Sequence, residues 1–273
     1  MYKLIALDMD GTLLNSHKEI SIVTQESLAL AQKSGKICAL ATGRCLSELI
    51  PYKKELTNVQ YGICESGSLI YDFFNKKIIG RKGTISHDIA LKIAKAVSDE
   101  DVMIQIMCDG ISYVNEHQIP LMKNYRMGQY ESLYRETSEK VNNIIETIIN
   151  EKRGIEKINI YHTSKDIRDK TFKKLSDLPL QFAFAEESSL EISPLNISKA
   201  TGLEELCSYL NLPIQCTIAV GDGNNDLPIL GVAGLSIAVG NANDNVKKVC
   251  DVIVSDNDHD GCHEAILSYL LKQ

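Results

Sequence analysis

The run Asp8-Met9-Asp10-Gly11-Thr12 puts two carboxylates two residues apart, directly behind the apolar stretch Leu4-Ile5-Ala6-Leu7. In open α/β sheets, ligands bind in the crevice beyond the carboxyl ends of the strands. Gly11 permits an unusual backbone angle, so the chain can turn back there and present Asp8, the Met9 backbone and Asp10 to one bound group. A second polar cluster, Gly221-Asp222-Gly223-Asn224-Asn225-Asp226, follows the apolar run Cys216 to Val220. Asp and Asn oxygens gathered behind a strand suit a hard cation, and Mg2+ usually takes one or two carboxylates, waters and a substrate phosphate. With each residue type at roughly 6%, the pattern Gly-Asp-Gly-x-Asn-Asp is expected by chance about 2 times in 10,000 chains of this length, so chance does not explain it.

Two further signals are weaker alone. Ala41-Thr42-Gly43-Arg44 ends an apolar run and leads into Leu46 to Ile50, which begins like a helix. A hydroxyl and a glycine before a helix N-terminus can cradle a phosphate, although a plain N-cap fits Thr42 equally well. Ser198 is a candidate N-cap, which puts Lys199 in a first helical turn. A cation there opposes the helix dipole, so Lys199 is either a solvated lysine or one held by an anion or by neighbouring carboxylates.

The elements that must position these residues follow from hydrophobic periodicity. Lys3 to Leu7 and Lys36 to Ala41 are short apolar strands, separated by helical spacing from Ser21 to Ser34 with Gly35 at the C-cap. The same grammar returns with a helix over Thr201 to Leu210, a strand over Cys216 to Val220, a short helix over Leu227 to Leu230 and a strand over Leu235 to Val239. A helix over Asn243 to Cys250, a strand over Val252 to Val254 and a helix over Gly261 to Leu271 complete it. Apolar strands alternating with amphipathic helices imply a parallel sheet covered on both faces. The middle differs. Met103 to Met107 and Ile111 to Val114 flank Asp109-Gly110, a hairpin signal, and helices are predicted over Ser86 to Val97, Ser138 to Lys152 and Lys165 to Leu175, with strands over Ile158 to Tyr161 and Gln181 to Ala185. The fold class is therefore α/β, a doubly wound parallel-sheet core over residues 1–81 and 188–273, with an α+β domain inserted over 82–187.

Composition narrows the function. The chain has 273 residues, 44% hydrophobic and 24% charged, which fits a soluble globular protein and excludes disordered and fibrous classes. Lys and Arg total 29 against 36 Asp and Glu, a formal charge of −7, so no general attraction to nucleic acid or anionic lipid is expected. The apolar run at the N-terminus is too short for a signal peptide and no stretch is long enough to span a membrane, which predicts a cytoplasmic protein. The eight cysteines form no Cys-x-x-Cys pair and read as buried small hydrophobes in a reducing compartment. His259 and His263 are four apart, but Gly261 interrupts the helix face they would share, so no metal is assigned to them.

Asp8, Asp10, Thr42, Lys199, Asp222, Asn225 and Asp226 all stand at or near the carboxyl ends of predicted strands. In these residues the chain resembles the haloacid dehalogenase-like phosphatases, whose four signature motifs they match. The insertion resembles the Cof-like branch, which carries a large α/β cap, and Ser255 to Gly261 looks like that family's final loop. The resemblance implies Mg2+ held by Asp8, the Asp10 carbonyl and Asp222, with Asp226 behind them. It implies phosphate held by the Met9 N–H, Thr42, Gly43, Lys199 and Asn225.

On that resemblance Asp8 becomes an aspartyl phosphate, Mg2+ and Lys199 neutralise the phosphoryl oxygens, and Asp10 acts first as acid and then as base. The expected substrate is a small phosphorylated metabolite such as a sugar phosphate, the expected partners include neither nucleic acid nor membrane, and the chain is expected as a monomer or small homo-oligomer under a mobile cap. A sugar phosphomutase or other phosphotransferase using the same site is the first alternative, and a non-catalytic sensor or partner-binding protein is the second. Two positions depart from the family pattern: Ser66 stands where relatives usually have asparagine, and Leu195-Asn196 stands where a lysine-glycine pair is typical. The stretch around Tyr125, Tyr130 and Tyr134, with Arg126 and Arg135, reads either as a surface closing over substrate or as a folded surface.

Overall fold

The computed structural model describes residues 1–81, 83–151, 153–184 and 187–272, and the chain forms two compact units. The first comprises Met1–Gly43, Pro51–Lys82 and Ser198–Gln273, and the second comprises Arg44–Ile50 and Gly83–Ile197. Chain order begins in the first unit with β1 (Leu4–Leu7), α1 (Ile22–Lys33), β2 (Ile37–Ala41), β3 (Tyr61–Cys64), β4 (Leu69–Asp72) and β5 (Lys77–Arg81). The second unit supplies α2 (His87–Ala96), β6 (Val102–Cys108), β7 (Ile111–Asn115), α3 (Glu131–Thr137), β8 (Glu139–Val141), α4 (Ile144–Asn150), β9 (Lys157–His162), α5 (Lys165–Leu175), β10 (Leu180–Ala183) and β11 (Ser189–Pro194). The chain then completes the first unit with α6 (Lys199–Tyr209), β12 (Thr217–Gly221), α7 (Leu227–Val232), β13 (Leu235–Ala238), α8 (Asp244–Val249), β14 (Val252–Ile253) and α9 (Gly261–Ala265).

The first unit is built on one sheet of order β14-β13-β12-β1-β2-β3-β4-β5. From β14 to β3 every pairing is parallel. All four residues of β1 are buried, as expected of a central strand covered on both faces. Leu7 lies opposite both Val220 and Leu40, so Asp8, Asp222 and Thr42 leave the sheet at one edge. Ser21 caps α1 by accepting from the Thr24 N–H, and Gly35 follows the helix at φ +72, the left-handed stop its position predicts. The sheet extends beyond the parallel strands by the antiparallel β4 and β5, joined by a turn in which Asp72 Oδ1 accepts the N–H groups of Phe74 and Asn75.

The second unit has a six-stranded sheet of order β10-β11-β9-β6-β7-β8, antiparallel except for β7 with β8. Asp109 and Gly110 both take positive φ and form the two-residue turn between β6 and β7, as their sequence predicts. On one face Ile104, Ile106, Ile158, Ile160, Leu190 and Ile192 form a core with residues of α2, α4 and α5. On the other, Tyr125 and Tyr134 are buried with Met103, Met122 and Tyr161, so these tyrosines are packing residues of this unit.

Some elements differ from expectation. The predicted helix over Ser138 to Lys152 is replaced at its start by β8, and α4 begins only after Asn143, whose side chain accepts the Ile145 and Glu146 N–H groups and fixes the helix start. Lys152 lies outside the described residues, as does Ala185 of the strand expected over Gln181 to Ala185. The helix anticipated at Leu46 is a 3-10 segment, Leu46–Tyr52, with Pro51 inside it and thus one backbone donor fewer. The compact units also assign Ser188–Ile197 and Arg44–Ile50 to the second unit, unlike the sequence limits: β11 is hydrogen-bonded between β10 and β9, and Ser47 N–H donates to Gly110 O while Glu48 accepts from the Gln105 amide. Lys82, at the other sequence limit, lies outside the described residues.

Candidate active site

Each polar group at the carboxyl edge of the first sheet is delivered by a local device. Asp8 follows β1 and is anchored by its N–H to the Val220 carbonyl at 2.9 Å. Gly11, at φ +79, lets the chain double back, and a Cβ at that position would lie 2.6 Å from Asp222 Oδ2. Asp222 follows β12, and its Oδ1 accepts from the Thr12 hydroxyl at 2.9 Å. Ser198 caps α6 with a reciprocal bond to Thr201, which starts the helix at Lys199. Two glycines bring that helix start close. A Cβ on Gly67 would lie 2.0 Å from the Ser198 carbonyl oxygen, and one on Gly202 would lie 2.4 Å from Ile63 Cγ2.

The buried Lys199 ammonium donates to Asp8 Oδ1 at 2.5 Å and to Asp226 Oδ1 at 2.7 Å. These are the neighbouring carboxylates that a lysine in a first helical turn requires. The other oxygen of Asp226 accepts the N–H groups of Asp222 and Gly223 at 3.1 and 3.0 Å. Asp226 is thus committed to holding Lys199 and the loop. Asp8, Asp222 and Asp226 each offer an oxygen within 4.8 Å of the others.

Three carboxyl groups share this pocket with one ammonium, a formal charge of −2 when all are ionised. Burial first, and then Asp226, hold the Asp8 carboxyl well above its ordinary range. The same causes raise Asp222 to about 6. Burial alone would depress Lys199, but Asp226 and Asp8 outweigh it and its ammonium is held more firmly than in water. An all-oxygen donor set with excess negative charge fits a divalent hard cation, with Asp8 and Asp222 as the carboxylates not already committed to the loop.

The remaining sequence candidates are placed as follows. Asp10 lies on the loop after β1, its side chain 29% exposed and 3.1 Å from Lys18 Nζ. Met9 buries its side chain, and its carbonyl accepts the Leu14 N–H. Thr42 and Gly43 follow β2 at the same sheet edge. Thr42 is buried and bridges β3, donating its N–H to Ile63 O and accepting from Ser66 N. Asn225 stands half-buried beside Asp226. Ser66 takes φ +57, and Asn196 takes φ +65, the left-handed region in which the glycine more usual at that position is also at ease. His259 pairs with Asp256, and His263 with Ser27.

Sequence reading missed Thr12 and Lys18 as neighbours of the site. Thr12 was visible only as part of the Asp-Gly-Thr run, and Lys18 had no spacing that linked it to Asp10. It also missed Asn241 and Asn257, which reach back to the Asp10 loop.

Comparison with known proteins identifies the family. Residues 5–266 match the model of the haloacid dehalogenase-like hydrolases. Phosphatase YwpJ of Bacillus subtilis is 25% identical over 95% of this chain and 96% of its own. The 5-amino-6-(5-phospho-D-ribitylamino)uracil phosphatase YcsE of the same organism is 29% identical over 98% of this chain and 96% of its own. A solved haloacid dehalogenase-like hydrolase from B. subtilis superposes with a TM-score of 0.88 at 25% identity, covering 98% of this chain and all of that one.

Proposed function

Because the chain belongs to the haloacid dehalogenase-like hydrolase family, Cof-like branch, and is a phosphatase, we propose that it hydrolyses phosphate monoesters of small metabolites through a phosphorylated Asp8 with Mg2+ as cofactor. The observation that carries this reading is Lys199, buried between Asp8 and Asp226 beside a third carboxylate. Hydrolases of this family generally use a metal ion, and the acidic cluster suits one. Asp8, Asp222 and the Asp10 carbonyl would hold Mg2+, which supplies positive charge against the phosphoryl oxygens.

The chain's own groups then divide the work. Lys199, the Met9 N–H, Thr42, Gly43 and Asn225 hold the phosphoryl oxygens, so that the anionic Asp8 can approach phosphorus. A bond forms between Asp8 and phosphorus as the ester P–O bond breaks, and Asp10 gives its proton to the departing alcohol oxygen. Water then attacks phosphorus while Asp10 takes a proton from it. The bond to Asp8 breaks, and inorganic phosphate leaves. Asp226 keeps Lys199 in place throughout.

The substrate class, a small phosphorylated metabolite, is supported by the reaction of the relative YcsE, which acts on a phosphorylated ribityl compound. A net charge of −7 argues against a nucleic-acid partner. No helix among the described residues is long and apolar enough to cross a membrane. The eight cysteines form no Cys-x-x-Cys pair and six of them are buried, a usage that supports a reducing cytoplasmic setting.

The test is phosphate release from a panel of phosphorylated metabolites, with and without Mg2+, for the native chain and Asp8→Asn. Release that requires Mg2+ and vanishes in Asp8→Asn is expected. Turnover that survives Asp8→Asn overturns the covalent route. Phosphoryl return to substrate, stimulated by a bisphosphorylated sugar, turns the assignment to a mutase.

A further inference from the structure

The loop between β1 and α1 carries Asp10; two backbone bonds close the turn around it, Leu13 N–H to Asp8 O at 3.2 Å and Leu14 N–H to Met9 O at 2.9 Å, and two more, Asn15 N–H to Glu19 O and Lys18 N–H to Asn15 O, fold the stretch that follows. Lys18 Nζ reaches Asp10 Oδ1 at 3.1 Å from within the loop, and further support comes from the far end of the chain. Asn241, just after β13, donates its side-chain amide to Gly11 O at 2.7 Å. Asn257, in the loop before α9, donates its side-chain amide to Leu14 O at 2.9 Å. The two are joined, since the Asn257 N–H donates to Asn241 Oδ1 at 3.0 Å. The carbonyls they hold lie on either side of the turn that begins at Asp10. Further along the same loop, Asp258 accepts from Ser16 N at 2.8 Å and Asp260 from the Ser21 hydroxyl at 2.5 Å.

We propose that Asn241 and Asn257 are positioning residues for Asp10, a two-amide clamp that fixes the loop bearing the acid–base carboxylate. The proposal rests on the acid–base role given to Asp10 above. A proton donor works only within hydrogen-bond reach of the departing oxygen, so a loop free to swing lowers the fraction of encounters in which the proton arrives. The amide is the required group. Each asparagine uses an N–H to grip a carbonyl, and Asn241 accepts with its oxygen as well, so an aspartate of the same shape supplies no grip for the Gly11 or Leu14 carbonyl.

The discriminating measurement compares two leaving groups. p-Nitrophenolate departs without needing a proton, whereas the alkoxide of glucose 6-phosphate, or of the best alkyl ester in the panel, needs one. In Asn241→Ala, Asn257→Ala and the isosteric Asn257→Asp, kcat/KM for the alkyl ester is expected to fall about tenfold more than for p-nitrophenyl phosphate. Asp10→Asn is expected to show the same discrimination more strongly. If Asp10→Asn discriminates and the asparagine variants lower both esters equally, the clamp is overturned. If Asp10→Asn does not discriminate, the acid–base reading itself falls and the clamp with it. Amide hydrogen exchange of the metal-free protein gives an independent readout. Leu13 and Leu14 are expected to exchange at least about tenfold faster in the asparagine variants, with β1 and β2 unchanged. Unaltered exchange at Leu14 overturns the proposal.

Discussion

Lys199 Nζ lies 2.7 Å from Asp226 Oδ1, and each of the two side chains is 1% exposed. A buried ion pair gives little stability relative to apolar residues, but breaking one side of it is costly because the other charge is left dry. Lys199 also serves Asp8, so its loss strands two carboxylates. Lys199→Ala is expected to destabilise the first unit by about 3–5 kcal/mol and to abolish phosphate release. Thermal denaturation and the phosphate assay check the two outcomes, and an unchanged Tm would contradict the electrostatic account.

Asp8→Asn should move stability the other way. Three carboxylates crowd a site that burial makes hostile to charge, and the amide removes one of them while Lys199 keeps Asp226. The metal-free variant is expected to gain about 1–2 kcal/mol, a stability held back by function, and to lose all turnover. Mg2+ is expected to raise the Tm of the native chain and not of the variant.

Metal affinity should depend on pH. Burial and then Asp226 lift Asp222 to about 6, so below that value a proton competes with the cation for the same oxygens. Titration calorimetry at a series of pH values is expected to show the Mg2+ affinity weakening by up to about tenfold per unit as pH falls through about 6. A flat profile down to pH 5 would remove Asp222 from the ligand set.

His162 is buried in the second unit between the Ser188 carbonyl and the Thr171 hydroxyl. Burial depresses its pKa, with Arg168 assisting, against the opposing pull of the Ser188 carbonyl and Glu100. The unfolded chain takes up this proton near pH 6.5, while the folded chain resists until lower pH, so the stability is whole above about 6.5 and is lost as pH falls through that value. Urea denaturation is expected to show a steeper loss of stability between pH 7 and pH 5 in the native chain than in His162→Gln.

Ser66 is held at φ +57, where a side chain with a Cβ is strained. Ser66→Asn is expected to stabilise the chain by a few tenths to about 1 kcal/mol, since asparagine tolerates this region better than serine. A lower Tm for the variant would show that the serine hydroxyl has a role that outweighs the strain.

The parts of the fold that sequence made legible are those with local signatures. The all-apolar β1 and β2, the Asp109-Gly110 turn and the Ser198 cap each declare themselves within a few residues. Lys199 was legible for the same reason, as a cation set against a helix dipole and therefore in need of partners. β8 and the late start of α4 were not, because the isoleucine-rich run after Ser138 fits a helix until Asn143 is recognised as its cap. The antiparallel β4 and β5 depend on one aspartate gathering two backbone N–H groups. Lys18, Asn241 and Asn257 escaped notice because single polar contacts carry no periodicity, and the two asparagines reach the Asp10 loop across more than two hundred residues of chain.

The central place of β1 bears on how the chain is made. Of its two neighbours in the sheet, β2 leaves the ribosome almost at once, but β12 follows about 200 residues later. At roughly 5–20 residues per second, one side of an entirely apolar strand waits on the order of 10–40 s for its partner. The nascent protein therefore carries an open, sticky edge through most of its own synthesis, and its yield in a cell is set in part by whatever shields that edge until the last fifth emerges.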